Sequence, residues 1–233
     1  HISGSSIALG DGNNNVVLGK NTNFNVTSQY STFIGYNAAG GTEGTELGGQ
    51  NITVVGWGAG QDMQQNPHRT TLIGAFAGAN LNVGLDNTFV GSDAGYTLTG
   101  ADRNVFGYQS GYSITSGPRQ TFIGYQAGYS SATGQENVFI GYQAGYSETD
   151  GAGNIYIGKQ VAYNIGDGGY NVAIGEEAMK STGTAANNHA TYNVAIGNQA
   201  GYNLTTGDYN VFLGSRAGYG TTTVQGNIAI GFD

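Results

Sequence analysis

His1, His68 and His189 are the first residues to weigh for catalysis or metal binding, and they stand far apart with no ligand-type spacing between them. The absence of cysteine rules out a thiolate metal site and a disulfide framework. No Gly-x-Ser-x-Gly elbow, Walker loop or dinucleotide fingerprint is present. Paired carboxylates hydrolyse glycosidic bonds, and the acids available for that are Asp62, Asp86, Asp93, Glu148, Asp150, Asp167 and Glu176. Most of them fall in turns, where Asp is common because its side chain bonds nearby backbone. The turns 148–153 and 166–169 have the acidic, glycine-rich character of calcium loops. A calcium-binding repeat needs its Asp at one place in successive turns, and here the Asp does not recur. The expectation is no enzyme, no resident metal and no cofactor.

Binding chemistry has better candidates. Trp57, the single tryptophan, falls with Tyr36, His68 and Arg69 in a part of the chain with long insertions, and the four would make a carbohydrate patch. The segments 36–50, 57–69 and 176–190 are longer than their surroundings require, and insertions of this kind map to loops on one face. Irregular capping rungs near one end would give the same pattern. Tyrosines recurring at one place in each unit suit either sugar stacking or packing between neighbours, and ladders of like aromatics favour packing. A Thr recurs in part (Thr32, Thr53, Thr71, Thr88, Thr121) and then gives way to Val and Ile, which argues against an ice-binding face.

The elements that must position these residues are repeats. Gln120–Tyr129 and Asn137–Tyr146 agree at eight of ten positions and lie seventeen residues apart. Each unit runs Asn, three strand residues, Gly, two variable residues, Ala-Gly-Tyr, then a polar turn. The anchor glycines are Gly10, Gly19, Gly35, Gly56, Gly74, Gly91, Gly107, Gly124, Gly141, Gly158, Gly175, Gly197, Gly214 and Gly231. A period of seventeen holds from Gly74 onward, so the chain reads as one repetitive domain over 1–233. Its rungs are irregular over 1–73 and regular over 74–233, with an insertion near 176–193. The anchors are expected either to take φ > 0 or to approach a neighbour closely.

Composition agrees with short strands and tight turns. There are 43 glycines, sixteen tyrosines and only two prolines, which excludes collagen, and 9% charge with many aromatics excludes a disordered chain. A net charge of −8 with seven scattered basic residues excludes a nucleic-acid stripe. No apolar run approaches the ~20 residues of a membrane span, so no membrane insertion is expected. The chain starts at His1 without an initiator Met, as a processed or incomplete product would.

One seventeen-residue unit cannot bury its own apolar face, so the fold class predicted is all-β, a parallel β-solenoid or β-roll. About fourteen rungs at ~4.8 Å each make a rod of ~65 Å. Each rung has room for two strands of four or five residues, a thin two-sided roll. If the Ile and Val before each anchor fill the inside, the intervening Phe, Leu and Ala form an outward apolar stripe, which calls for self-association.

The run Asn193–Asn210, with its Val-Ala-Ile-Gly core, resembles the repeats of tailed-phage tail fibres, a type often followed by an endosialidase-type intramolecular chaperone. It is also similar to the head repeats of trimeric autotransporter adhesins, although those repeats are shorter than seventeen residues. The resemblance extends from about Gly35 to Gly231. It implies a parallel homotrimer on a virion surface or otherwise extracellular, attached to a host glycan or protein receptor. In the fibre family the chaperone removes itself by cleavage, so the ending at Asp233 is what a matured product would show. A bacterial adhesin or filament head and a fibre-borne depolymerase are the competing expectations.

Overall fold

The structure is a computed structural model that describes residues 6–9, 13–22, 27–40, 47–63, 67–82, 85–97, 100 and 102–233. It contains one sheet whose strands follow chain order without a crossover. The first strands are β1 (Ser6–Leu9), β2 (Val16–Gly19), β3 (Thr32–Ile34), β4 (Thr53–Val55), β5 (Thr71–Ile73), β6 (Asn87–Val90) and β7 (Arg103–Phe106). They continue as β8 (Gln120–Ile123), β9 (Val138–Ile140), β10 (Ile155–Ile157), β11 (Val172–Ile174), β12 (Val194–Ile196), β13 (Val211–Leu213) and β14 (Ile228–Ile230). From β2 onward every pairing is parallel and in repeat register, Ile155 against Val138 and Val172 for example. The protein is a β-solenoid.

Three expectations need correction. β1 pairs antiparallel with β2, Ser6 opposite Gly19, so the first unit is a hairpin and not a rung. A spacing of nine from Gly10 to Gly19 is too short to circle the roll. Thirteen parallel strands therefore remain of the fourteen units expected, and twelve steps of ~4.8 Å give a rod of ~58 Å. Among the described residues no second strand per rung is formed, only single bridges such as Gln135 with Ala152. After each anchor the chain makes turns, and these bond rung to rung: the Gly128 N–H donates to Ala144 O and that of Gly145 to Val161 O. Backbone polar groups are thus satisfied around the rung without a second sheet. The insertion before Gly197 carries one short 3-10 turn, Ala185–Asn187.

The larger correction concerns which face is inside. Phe33, Val54, Leu72, Phe89, Val105, Phe122, Phe139, Tyr156, Ala173, Ala195 and Phe212, the middle strand residues, are the buried ones. The flanking Thr, Val and Ile point out, and Ile34, Ile73, Ile123 and Ile196 are 36–40% exposed. The cause lies across the roll, in the Ala-Gly pair three and four residues past the anchor. Ala77, Ala94, Ala127 and Ala144 are fully buried. A Cβ on Gly128 or Gly145 would sit 2.6–2.7 Å from the ring of Phe122 or Phe139. Small residues on one wall make room for a large one on the other. Where the strand residue shrinks to Ala173, the position after the alanine grows to Met179, which is also fully buried.

The anchors do both things expected of a glycine. Gly124 has φ +136, and a Cβ there would meet the Gly141 carbonyl at 2.3 Å; Gly141, at φ +135, would meet that of Gly158 at 2.2 Å.

The asparagines that precede β9–β13 are buried rather than displayed at turns. Asn137, Asn154, Asn171, Asn193 and Asn210 form a ladder. Each side-chain oxygen accepts the backbone N–H of the next Asn at 2.9–3.0 Å. Each Nδ2 donates across the rung to the carbonyl of Gly151, Gly168, Ala190, Gly207 or Val224 at 2.7–2.9 Å. Each of these five rungs is thus tied across its width by one side chain.

Candidate functional site

Two surfaces stand out. The first is the outward face of the sheet. Along β2–β14 its two columns begin Val16, Thr32, Thr53 and Leu18, Ile34, Val55, and they end Val211, Ile228 and Leu213, Ile230; no outward strand position is charged. The Thr members sit mainly in β3–β8, and Val or Ile replaces them from β9.

The second surface is the edge where strands end at the anchors. Three aromatic columns run along the rod. Tyr96, Tyr112, Tyr129, Tyr146 and Tyr163 stack with ring centroids 4.9–5.2 Å apart and planes within 8°. Burial, and then neighbouring phenols, push the hydroxyls of Tyr112 and Tyr146 above the usual tyrosine range. Tyr108, Tyr125 and Tyr142, each just after an anchor, stack at 5.2–5.4 Å and are 43–46% exposed. Between these columns Gln109, Gln126, Gln143 and Gln160 form an amide ladder at 2.9–3.0 Å. Tyr170, Tyr192 and Tyr209 stack at the opposite edge, ahead of their strands. Inside such a ladder each ring covers its neighbour's face, so only edges and hydroxyls reach water. A sugar stacks on a free face, and free faces exist only where a ladder breaks.

The column after the anchors does break. It runs Tyr36, Trp57, Ala75, Ser92, Tyr108. The two small residues interrupt it for three rung steps, ~14 Å. Trp57 is 58% exposed and is held by Phe76, whose ring lies 4.9 Å away. Phe76 in turn fills the space over Gly58, where a Cβ would come within 2.7 Å of it. Ser92 Oγ and Asp93 Oδ2 line the gap 3.4 Å apart.

The chain matches no protein-family model, no curated protein and no solved structure.

The four residues expected to form one patch are divided between two edges. Tyr36 and Trp57 follow Gly35 and Gly56 at the strand ends, and the Tyr36 hydroxyl accepts from Asn21 Nδ2 at 3.3 Å. His68 and Arg69 precede β5 at its other end; His68 bridges Gln50 and Leu85, and Arg69 Nη2 donates to Asp86 Oδ2 at 2.9 Å. The full width of the sheet separates the pairs. Sequence reasoning missed Ala75, Ser92 and Tyr108, and named Asp93 only among the acids of a carboxylate pair; the broken Tyr column is legible once the units are aligned on their anchors. His1 and Gly10 lie outside the described residues, as do 41–46 and 64–66 of the long segments.

The acids are mostly occupied singly. Lys159 holds Glu176 at 2.8 Å, His189 pairs with Asp167, and Thr133 Oγ1 donates to Asp150 at 2.5 Å. No group of three or more His, Asp and Glu among the described residues is arranged to hold a metal. Glu148 is not a loop ligand at all. It is fully buried in a column shared by Met63, Leu81, Ile114, Ile165 and Leu204. Burial drives its carboxyl well above the usual range, against the pull of the Gly151 N–H and the Tyr156 hydroxyl, which lies 3.4 Å from Oε2. Arg103, in the Asn column, is also fully buried. Its Nε donates to Gly117 O at 2.7 Å, Nη1 and Nη2 have no partner, and burial lowers its pKa to about 10.

Proposed function

We propose that this chain is a segment of an extracellular attachment fibre of the tail-fibre type, in which three parallel copies associate through the outward sheet face and engage a host-surface receptor. The observation that carries the reading is the uncharged face itself. Thirteen rungs present only Val, Ile, Leu, Phe, Thr and Asn to the outside. A strip ~58 Å long and ~10 Å wide is ~600 Å², the scale of one partner's share in a specific interface and larger than a lone chain usually leaves bare. Parallel association keeps identical rungs level, so the Thr-bearing stretch over β3–β8 and the Val/Ile-bearing stretch over β9–β14 match. The number three and the attachment role come from the resemblance to fibre and adhesin repeats. Multivalent display then turns weak single contacts into firm attachment.

Light scattering on the purified chain tests association. The expected mass is three times the 24.0 kDa of the chain. Replacing Ile157 and Ile174 with Lys is expected to give monomers that keep a β-type circular dichroism spectrum. A native chain that stays at 24 kDa at micromolar concentration refutes the association. Binding of the labelled trimer to intact host-type cells tests attachment.

A further inference from the structure

We propose that the break in the aromatic column at Ala75 and Ser92 is a carbohydrate-binding notch that takes a neutral pyranose ring on Tyr108, with the Trp57–Phe76 pair as its far wall. It rests on the attachment reading and gives that reading a site and a ligand class.

The walls are aromatic. Tyr108 stacks on Tyr125 on one side and faces Ser92 on the other, so one ring face has no aromatic cover. Trp57 is more exposed than any of the laddered tyrosines, and Phe76 fixes its tilt at 55°. A wall braced this way loses little conformational freedom on binding. Phe76 stands on the rung after Trp57 and packs against it from the gap side, so the far wall is the Trp57–Phe76 pair and the open stacking face is that of Tyr108. The space over Ser92 between them takes one pyranose laid on Tyr108.

The floor is polar and acidic. The Asp93 N–H donates to Ala75 O at 2.9 Å, which locks the residue into its left-handed conformation at φ 54°. No cation among the described residues forms an ion pair with the Asp93 carboxylate. Its free lone pairs, with the Ser92 hydroxyl, suit vicinal sugar hydroxyls. The same charge disfavours sialic or uronic acids, so the ligand class is neutral. The apolar CH face of a hexopyranose lies on the Tyr108 phenol while its hydroxyls turn to the floor.

The single tryptophan makes the test direct, because all indole emission comes from the notch wall. The native chain is titrated with neutral oligosaccharides of glucose, galactose, mannose and N-acetylglucosamine, and with sialyllactose. The expected result is a saturable emission change with at least one neutral probe and none with sialyllactose. Asp93→Asn and Tyr108→Ala are expected to weaken binding at least tenfold. Ser92→Tyr, which extends the existing ladder and so preserves the fold, is expected to abolish it, while Tyr192→Ala at the opposite edge leaves it unchanged. No saturable signal from any neutral probe, or full binding by Ser92→Tyr, overturns the notch. If the native fibre binds cells and Ser92→Tyr binds them equally, the notch fails and attachment stands. If the native fibre binds no cells, attachment fails and the titration still decides the notch.

Discussion

Glu148 gives the protein a stability that should fall as the pH rises. Its carboxyl is fully buried among apolar neighbours, and desolvation raises its pKa well above that of an exposed glutamate. In the unfolded chain the same group titrates near ~4.3. Between that pH and the folded pKa the native state holds a proton that the unfolded state has released. Glu148 therefore favours folding fully below about pH 4.3, and its contribution is lost as pH rises through the folded pKa, at up to ~1.4 kcal/mol per pH unit. Asp150 nearby pushes in the same direction, and the Tyr156 hydroxyl and Gly151 N–H oppose it. Glu148→Gln keeps the shape and removes the titration. Urea midpoints of the two proteins at fixed protomer concentration should lie close together at pH 4 and separate steadily toward pH 8, with the variant the more stable. Rungs in a solenoid unfold semi-independently, so hydrogen exchange of the Ser147 and Ser130 amides, bonded to Tyr163 O and Tyr146 O, should report the same divergence locally. A difference that does not change from pH 4 to pH 8, or a variant less stable throughout, would show that the carboxyl is solvated and refute the reasoning.

Gly141→Ala should cost at least ~3 kcal/mol, since strain at φ +135 adds to a Cβ 2.2 Å from the Gly158 carbonyl. Gly220→Ala, at φ +81 with open space around it, should cost only ~1 kcal/mol; equal shifts in thermal midpoint would contradict the close-approach account. Arg103→Gln places in β7 the residue type found next door at Gln120 and removes two unpaired buried nitrogens, so it should stabilise by ~1–3 kcal/mol. A lower melting temperature for that variant would show that the guanidinium has partners.

The period, the strand positions and the stacking of like residues were legible because a repeat announces itself and a glycine that must accept a neighbour's carbonyl recurs at every rung. Which face was inside was not. A Val-Phe-Ile strand is apolar on both sides, and a period of two has no preferred phase unless one face is polar. The deciding signal was the Ala-Gly pair of Gln-Ala-Gly-Tyr, whose smallness matters only once it is seen to lie opposite Phe122 or Phe139. The buried state of Glu148 could have been read from its column mates Ile114 and Ile165, but as a lone acidic residue in a polar stretch it had the look of a turn residue.

What the sequence alone determined is that the chain stacks, since only stacking buries the apolar face of a seventeen-residue unit. What the tertiary structure decided is the lateral arrangement: Phe inside and Ile outside, Phe76 packed on Trp57 at the near edge, and Arg69 at the far edge beside Asp86. Spacing along the chain fixes the rung on which a residue sits. Its place around the rung depends on which side chains fit across a narrow core, and that is a matter of volume between residues distant in sequence.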